Sequence, residues 1–189
     1  MHSIGNSGLS RRALLGRGVA LAGLSVLAFP SLASAGYDED LAEVRLVCAT
    51  KRVTIGWYTR WIDAGVASAT DQPLLRMLRR QEQQHYAFLS PLLGGTAPSD
   101  DDYTFVYPPA ALKSANNAHT VGVALERLAL GIELGSAARI GDAGVAGPVA
   151  AVAAANAMHI VALTGAPASS LPEWLSAEDA STQLGEYLQ

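Results

Sequence analysis

Glu82 and His85 stand three residues apart in Glu82-Gln-Gln-His85, on a stretch whose leucines fall at helical spacing. A carboxylate and an imidazole at i, i+3 project from one helix face, where they can share a proton or ligate a metal ion. Leu74, Leu75, Leu78, Leu89 and Leu92 occupy that same face, and Arg76, Arg80, Gln83, Gln84 and Ser90 the opposite one. An ionisable pair on a core-facing stripe is costly unless it is paired or coordinated, so partners must come from elsewhere in the chain. Three segments offer them. Lys51 interrupts an apolar stripe of Val44, Val47, Ile55, Tyr58 and Ile62. His119, Glu126 and Glu133 recur every seven residues beside Val123, Ala129 and Leu130. Asn156 and His159 are the strongly polar interior residues of an otherwise apolar stretch. Periodicity alone does not choose between Glu126 and Glu133 as the carboxylate that meets Glu82.

Four helices must position these groups. The first is expected from about Glu39 to Asp63, stopping at Gly65. The second starts at Asp71, an N-cap with Pro73 in the first turn, and ends at Gly94-Gly95. A loop from Thr96 to Pro109 carries Asp100-Asp101-Asp102, which reads as a solvated turn. The third helix runs from near Ser114 to Gly141 and the fourth from about Pro148 to Gly165. A short helix follows Ser176, where Ser176-x-x-Asp179 forms a capping-box-like start. No period-2 alternation of useful length appears, so the expected fold class is all-α, a four-helix bundle with a short C-terminal helix.

Residues 1–35 are read as a separate, cleavable twin-arginine (Tat) signal peptide. Arg11-Arg12 lie within Ser10-Arg-Arg-Ala-Leu-Leu15, an apolar stretch runs from Gly18 to Phe29, and Ala33-Ser34-Ala35 offers a small-x-small cleavage site. Those 12 apolar residues fall short of the ~20 that span a hydrocarbon core. The expectation is export to the periplasm or beyond through the Tat translocase, with no stable membrane anchor after cleavage. The domain is then 36–189, with a C-terminal extension from about 166. Losing Arg11, Arg12 and Arg17 leaves 10 of the 13 Lys and Arg against 17 Asp and Glu, a net charge of −7. Such an acidic domain is a poor nucleic-acid binder. The single Cys48 forms no internal disulfide and reads as a buried small hydrophobe. Trp57, Tyr58 and Trp61 read as core or interface fillers, and His119 as a capping or solvent-facing residue. The mature partner is left open, a homo-oligomer being compatible with the sequence.

Glu82-Gln-Gln-His85 followed by Tyr86-Ala-Phe-Leu89, Tyr103-Thr-Phe-Val-Tyr-Pro108, Ala124-Leu-Glu126 with Leu134-Gly135, and Asn156-Ala-Met-His159 together resemble the small Tat-exported ferritin-like domain proteins of bacteria. The resemblance covers roughly residues 41–163. It implies a ferritin-like bundle whose di-iron-type site draws one Glu from each of two helices and Glu-x-x-His from each of the other two. Glu82, His85, Glu126 and His159 match those ligand positions, whereas Lys51 and Asn156 stand where two glutamates belong. Lys51, Glu82 and Glu126 sum to −1 with both histidines neutral, so one divalent ion gives +1 and two give +3. The expectation that follows is a degenerate centre in an exported, non-catalytic bundle with a Lys51/Glu82/Glu126 ion-paired core, holding no metal. The alternative is a single Fe, Mn or Zn ion on Glu82, Glu126 and His159, with His85 close by, doing redox or oxygen chemistry. A two-metal oxidase ranks third. Mineral iron storage, which needs a large shell, is not expected of a single exported domain.

Overall fold

The computed structural model describes residues 36–165 and 171–188. The signal-peptide reading of 1–35 lies outside the described residues. Four long helices are present: α1 (Tyr37–Asp63), α2 (Gln72–Leu93), α3 (Ala115–Arg139) and α4 (Ala143–Thr164). A shorter α5 (Ala177–Gly185) follows. The expected all-α bundle is what the chain forms. α1 packs on α2 and α3, α4 packs on α3 and α2, and α5 lies against α3. α1 and α4 also meet across the centre of the bundle.

The helix ends follow local chemistry, with three departures from the sequence reading. α1 begins at Tyr37, two residues early, because the Glu39 carboxylate accepts the Gly36 N–H at 3.0 Å. Asp71 precedes α2 as expected, but its carboxylate takes the Ser68 hydroxyl at 2.6 Å and caps nothing. α4 begins at Ala143 instead of Pro148, since Asp142 accepts the Gly144 N–H at 2.6 Å and Pro148 is carried inside the helix. A proline within the first two turns forfeits one backbone hydrogen bond, which the Asp142 cap offsets. Ser114 caps α3 through the Asn117 N–H at 3.1 Å, and Ser176 caps α5 through the Asp179 N–H at 3.1 Å.

Apolar burial holds the frame. Val44, Val47, Val53, Trp57, Leu75, Leu78, Leu89, Leu125, Ile132 and Val149 are enclosed in one cluster. A fully buried side chain of that size contributes ~1.5–3 kcal/mol, so the cluster supplies a frame able to carry charges in its middle. Cys48 is fully buried within it, as expected. α4 is the one helix among the described residues long and apolar enough to cross a membrane. Here its Val145, Val149, Val152, Asn156, His159 and Ile160 are buried in the bundle.

Two connections are tied down. In the α2–α3 crossover the Tyr107 hydroxyl donates to the Val53 carbonyl at 2.7 Å, and Asp100 pairs with Arg52 at 2.5 Å. The acidic run is therefore partly an anchor and not only a solvated turn. The C-terminal segment docks on a flat of α3 made by two glycines: the Leu175 N–H donates to the Gly131 carbonyl at 2.9 Å. A Cβ at Gly135 would come within 2.1 Å of the Leu175 carbonyl oxygen, so no side chain fits there. Arg139 completes the clasp, donating to Leu175 O at 2.9 Å and through two nitrogens to Glu43 at 2.7 Å each.

Candidate metal centre

Each long helix turns a polar side chain into the bundle axis. α1 contributes Lys51, Thr54 and Tyr58; α2, Glu82 and His85; α3, Glu126 and Glu133; α4, Asn156 and His159. Lys51, Thr54, Glu82, Glu126, Glu133 and Asn156 are fully buried, and His159 nearly so. His85 keeps 13% of its side-chain surface exposed, which makes it the member of the cluster nearest to solvent.

The sequence left Glu126 and Glu133 as rivals; the structure uses both, at opposite ends of the cluster. Lys51 Nζ lies 2.9 Å from Glu82 Oε2, touches Glu133 Oε1, and sits 3.4 Å from Asn156 Oδ1. The expected Lys51/Glu82/Glu126 core is thus corrected to Lys51/Glu82/Glu133. Two helical turns separate Glu126 from Glu133, and the long lysine side chain reaches the second of them. Glu126 instead accepts the Tyr58 hydroxyl and lies 3.4 Å from His159 Nδ1. Burial would depress the Lys51 ammonium, but Glu133, Glu82 and Glu126 reverse this and hold it above its ordinary value. Burial alone would raise the Glu82 carboxyl; Lys51, His159 and His85 hold it well below the usual carboxylate range. Burial pushes Glu133 up to about 7, against the pull of Lys51. Tyr58 is raised by burial and by Glu126, so its phenol stays protonated and donates.

The other half of the cluster is a group of donors facing one another. His159 Nδ1 lies 3.0 Å from Glu82 Oε1, and His85 Nδ1 lies 3.5 Å from the same oxygen. The imidazoles stack at 5.4 Å between centroids, 16° from parallel. Ligand atoms of Glu82, His85 and His159 all fall within 4.8 Å of one another. Glu82 Oε1, Glu126 Oε2, His85 Nδ1 and His159 Nδ1 are buried and make no aligned hydrogen bond. Buried polar atoms ordinarily find partners, so four such atoms pointing inward from three helices require an explanation.

One divalent ion would satisfy Glu82, His85 and His159, with Glu126 Oε2 beside His159 Nδ1 at 3.4 Å. Two nitrogen or oxygen ligands ~2.1 Å from a common ion are spaced by about 3.0–3.5 Å at tetrahedral to octahedral angles. The separations of 3.0, 3.4 and 3.5 Å fall in that range. Charge agrees. One ammonium and three carboxylates sum to −2 with neutral imidazoles, and a single divalent ion restores neutrality. Glu133, in contact with Lys51, adds the negative charge that takes Lys51, Glu82 and Glu126 from −1 to −2. The residues present therefore fit one ion and not two, since Lys51 Nζ fills the other half.

Asn156 and Lys51, the two departures from the ligand pattern, both lie inside the cluster. Asn156 Nδ2 donates to the Glu126 backbone carbonyl at 3.2 Å. Thr54, whose hydroxyl is 3.1 Å from Glu82 Oε2, was not foreseen, nor was the role of Tyr58. Tyr58 lies seven residues after Lys51, and that same-face spacing was the available signal. Trp57 and Trp61 fill the core as expected. His119 is half-buried and is not among the residues that could hold a metal: its Nε2 is 3.0 Å from the Leu163 carbonyl and its ring meets Trp61 edge-on.

Comparison with known families places these features in context. A family model described as "Ferritin-like domain" matches residues 26–167. Comparison with curated proteins returns no match.

Proposed function

The chain belongs to the ferritin-like domain family, and from that premise we propose that it is an exported, single-metal member, holding one Fe, Mn or Zn ion on Glu82, His85, Glu126 and His159. The observation that carries this reading is the convergence of Glu82, His85 and His159, with Glu126 beside His159, as buried ligand atoms that face one another without an aligned hydrogen bond. Bound there, iron or manganese would supply one-electron exchange and oxygen or peroxide chemistry, whereas zinc would supply Lewis acidity.

The chain's own residues set the character of the centre. Lys51 neutralises Glu133 and part of Glu82, taking the place of a second cation and confining the site to one ion. Thr54 and Tyr58 hydrogen-bond Glu82 and Glu126 and fix the carboxylates facing the imidazoles. His85, partly exposed, is the ligand through which an ion or small molecule gains access. Export by the Tat route suits a protein that folds and loads its ion before crossing the membrane.

Titration of the metal-free protein with cobalt(II), followed by visible absorption, tests the reading. Saturation at one equivalent supports it; no spectral change with added cobalt, in a protein that remains folded, rejects it. The second reading, a metal-free and non-catalytic ion-paired bundle, draws on the three partners that already surround Lys51 Nζ.

A further inference from the structure

A row of aromatic rings leads away from the polar cluster. The Tyr58 ring, whose hydroxyl donates to Glu126, stacks on Trp61 at 6.3 Å between centroids and 10° from parallel. Trp61 lies 6.0 Å from Trp57, Trp57 5.1 Å from Tyr107, and Tyr107 6.3 Å from Tyr187. Trp57 and Trp61 are buried and Tyr107 and Tyr187 half-buried, so the row runs from the core to the surface. Packing alone does not account for it. Buried indoles usually find an acceptor, and neither Trp57 Nε1 nor Trp61 Nε1 has one among the described residues. Leucine or phenylalanine would fill the same space without leaving a donor unpaired. Two glycines also make room for the row. A Cβ at Gly122 would come within 2.7 Å of Trp61 and 3.3 Å of Trp57, and one at Gly56 within 2.7 Å of the Tyr107 hydroxyl.

We propose that Trp61, Trp57, Tyr107 and Tyr187 form a relay that carries oxidising equivalents out of the bundle core to the surface at Tyr187. Its use in the living cell rests on the single-metal reading, with peroxide as the oxidant consumed at the centre. The path through the rings does not depend on a bound ion.

The step balances. A one-electron oxidant derived from peroxide takes an electron from Trp61, across the stacked Tyr58 ring, and is itself reduced by one electron. Trp61 becomes a radical cation, which an electron from Trp57 refills. Tyr187 then gives an electron to Trp57 through Tyr107, loses its phenolic proton to solvent and is left as a neutral tyrosyl radical. A soluble donor of the thiol or ascorbate class returns the electron, and solvent returns the proton. One electron has left the donor, one has reached the oxidant, and the chain ends as it began.

The surroundings of each ring set where the radical rests. An oxidised indole is trapped when its N–H proton passes to a base. Trp57 and Trp61 face no acceptor, so the proton stays and the positive charge remains mobile. Tyr107 donates its hydroxyl to the Val53 carbonyl, which takes up no proton, and the Arg60 guanidinium lies 4.9 Å over its ring. Both features oppose a radical resting on Tyr107, which therefore bridges the transfer. Tyr187, the next ring outward, is the one that can release its proton to water.

Flash photolysis of the metal-free full chain tests the relay without calling on the ion. Trp174, the exposed third tryptophan, is first replaced by phenylalanine, so that an ultraviolet pulse ionises only Trp57 and Trp61. The tryptophanyl absorption should decay in step with the rise of a tyrosyl radical. Adding Tyr187→Phe, which keeps the ring, should cut the tyrosyl yield at least fivefold, whereas adding Tyr58→Phe should leave most of it. A folded Trp174→Phe protein that forms no tyrosyl radical overturns the proposal. So does an unchanged yield in Tyr187→Phe, or a yield lost in Tyr58→Phe, which would mean that the radical moves inward. The first of these readouts stands even if the further variants fail to fold. A chain that binds no cobalt but passes this test would reject the metal reading and keep the relay.

Discussion

The His85 and His159 rings stack 5.4 Å apart, and the Nδ1 of each faces the same oxygen of Glu82. Two neutral imidazoles have no electrostatic reason to aim nitrogens at one carboxylate oxygen and leave both without an aligned hydrogen bond. A shared ion or a shared proton supplies one. His159→Ala should therefore lower metal content at least tenfold, and it should also destabilise the metal-free protein, because His159 is buried against Glu82 and Glu126. Metal analysis beside urea denaturation checks this, and a variant that retains its ion would remove His159 from the ligand set.

Lys51→Met keeps side-chain bulk and removes the charge. In the metal-free protein it leaves Glu82, Glu126 and Glu133 buried without their cation. Breaking a buried ionic arrangement from one side costs ~3–5 kcal/mol, a loss that a urea midpoint reports directly. An unchanged midpoint would mean that Lys51 does not neutralise this core.

The metal-free protein should lose stability as pH rises. Glu133 is held at about 7 by burial, so the folded state keeps a proton that the unfolded chain gives up in the ordinary carboxylate range. Stability falls as pH rises through that window. For His159, burial would lower the imidazole, but contacts with Glu126 and Glu82 lift it to about 10. Its contribution is fully present below the ordinary imidazole value and is lost as pH rises toward about 10. Glu82 acts the other way, and only on acidification below the usual carboxylate range. Melting temperature should thus be lower at about pH 9 than at about pH 6. A flat or rising profile over that span would contradict the charge assignment.

The layout of the helices was readable because periodicity and caps agree. Ser114, Gly94 and Ser176 mark ends that the structure keeps. Pro148 misled, since proline tolerates an early position inside a helix when Asp142 has already started it. In the site, Glu82 and His85 were legible because leucines surround them. The choice between Glu126 and Glu133 was not, because both share a face and only the reach of Lys51, a three-dimensional fact, recruits the second. Tyr58 and Thr54 were passed over because a phenol and a hydroxyl on an apolar stripe look like ordinary packing until their acceptors are placed.

Gly135→Ala ought to raise helix propensity by about 1 kcal/mol in an open helix. Here the new methyl would collide with the Leu175 carbonyl, so the C-terminal segment should lift from α3. Hydrogen exchange at Leu175 and α5 is expected to accelerate at least tenfold, while α1 and α2 stay protected. Unchanged exchange at Leu175 would show that the segment is not held by this contact.

Export is tested by replacing Arg11 and Arg12 together with lysine. The substituted chain should accumulate inside the cell with residues 1–35 uncleaved, and unaltered secretion would reject the Tat reading.

Elemental analysis of the protein purified without chelators bears most directly on the central claim. One equivalent of iron, manganese or zinc per chain, falling with His159→Ala, is the predicted result. Two equivalents would contradict the role given to Lys51, and a folded protein with no stoichiometric metal would contradict the single-ion centre itself.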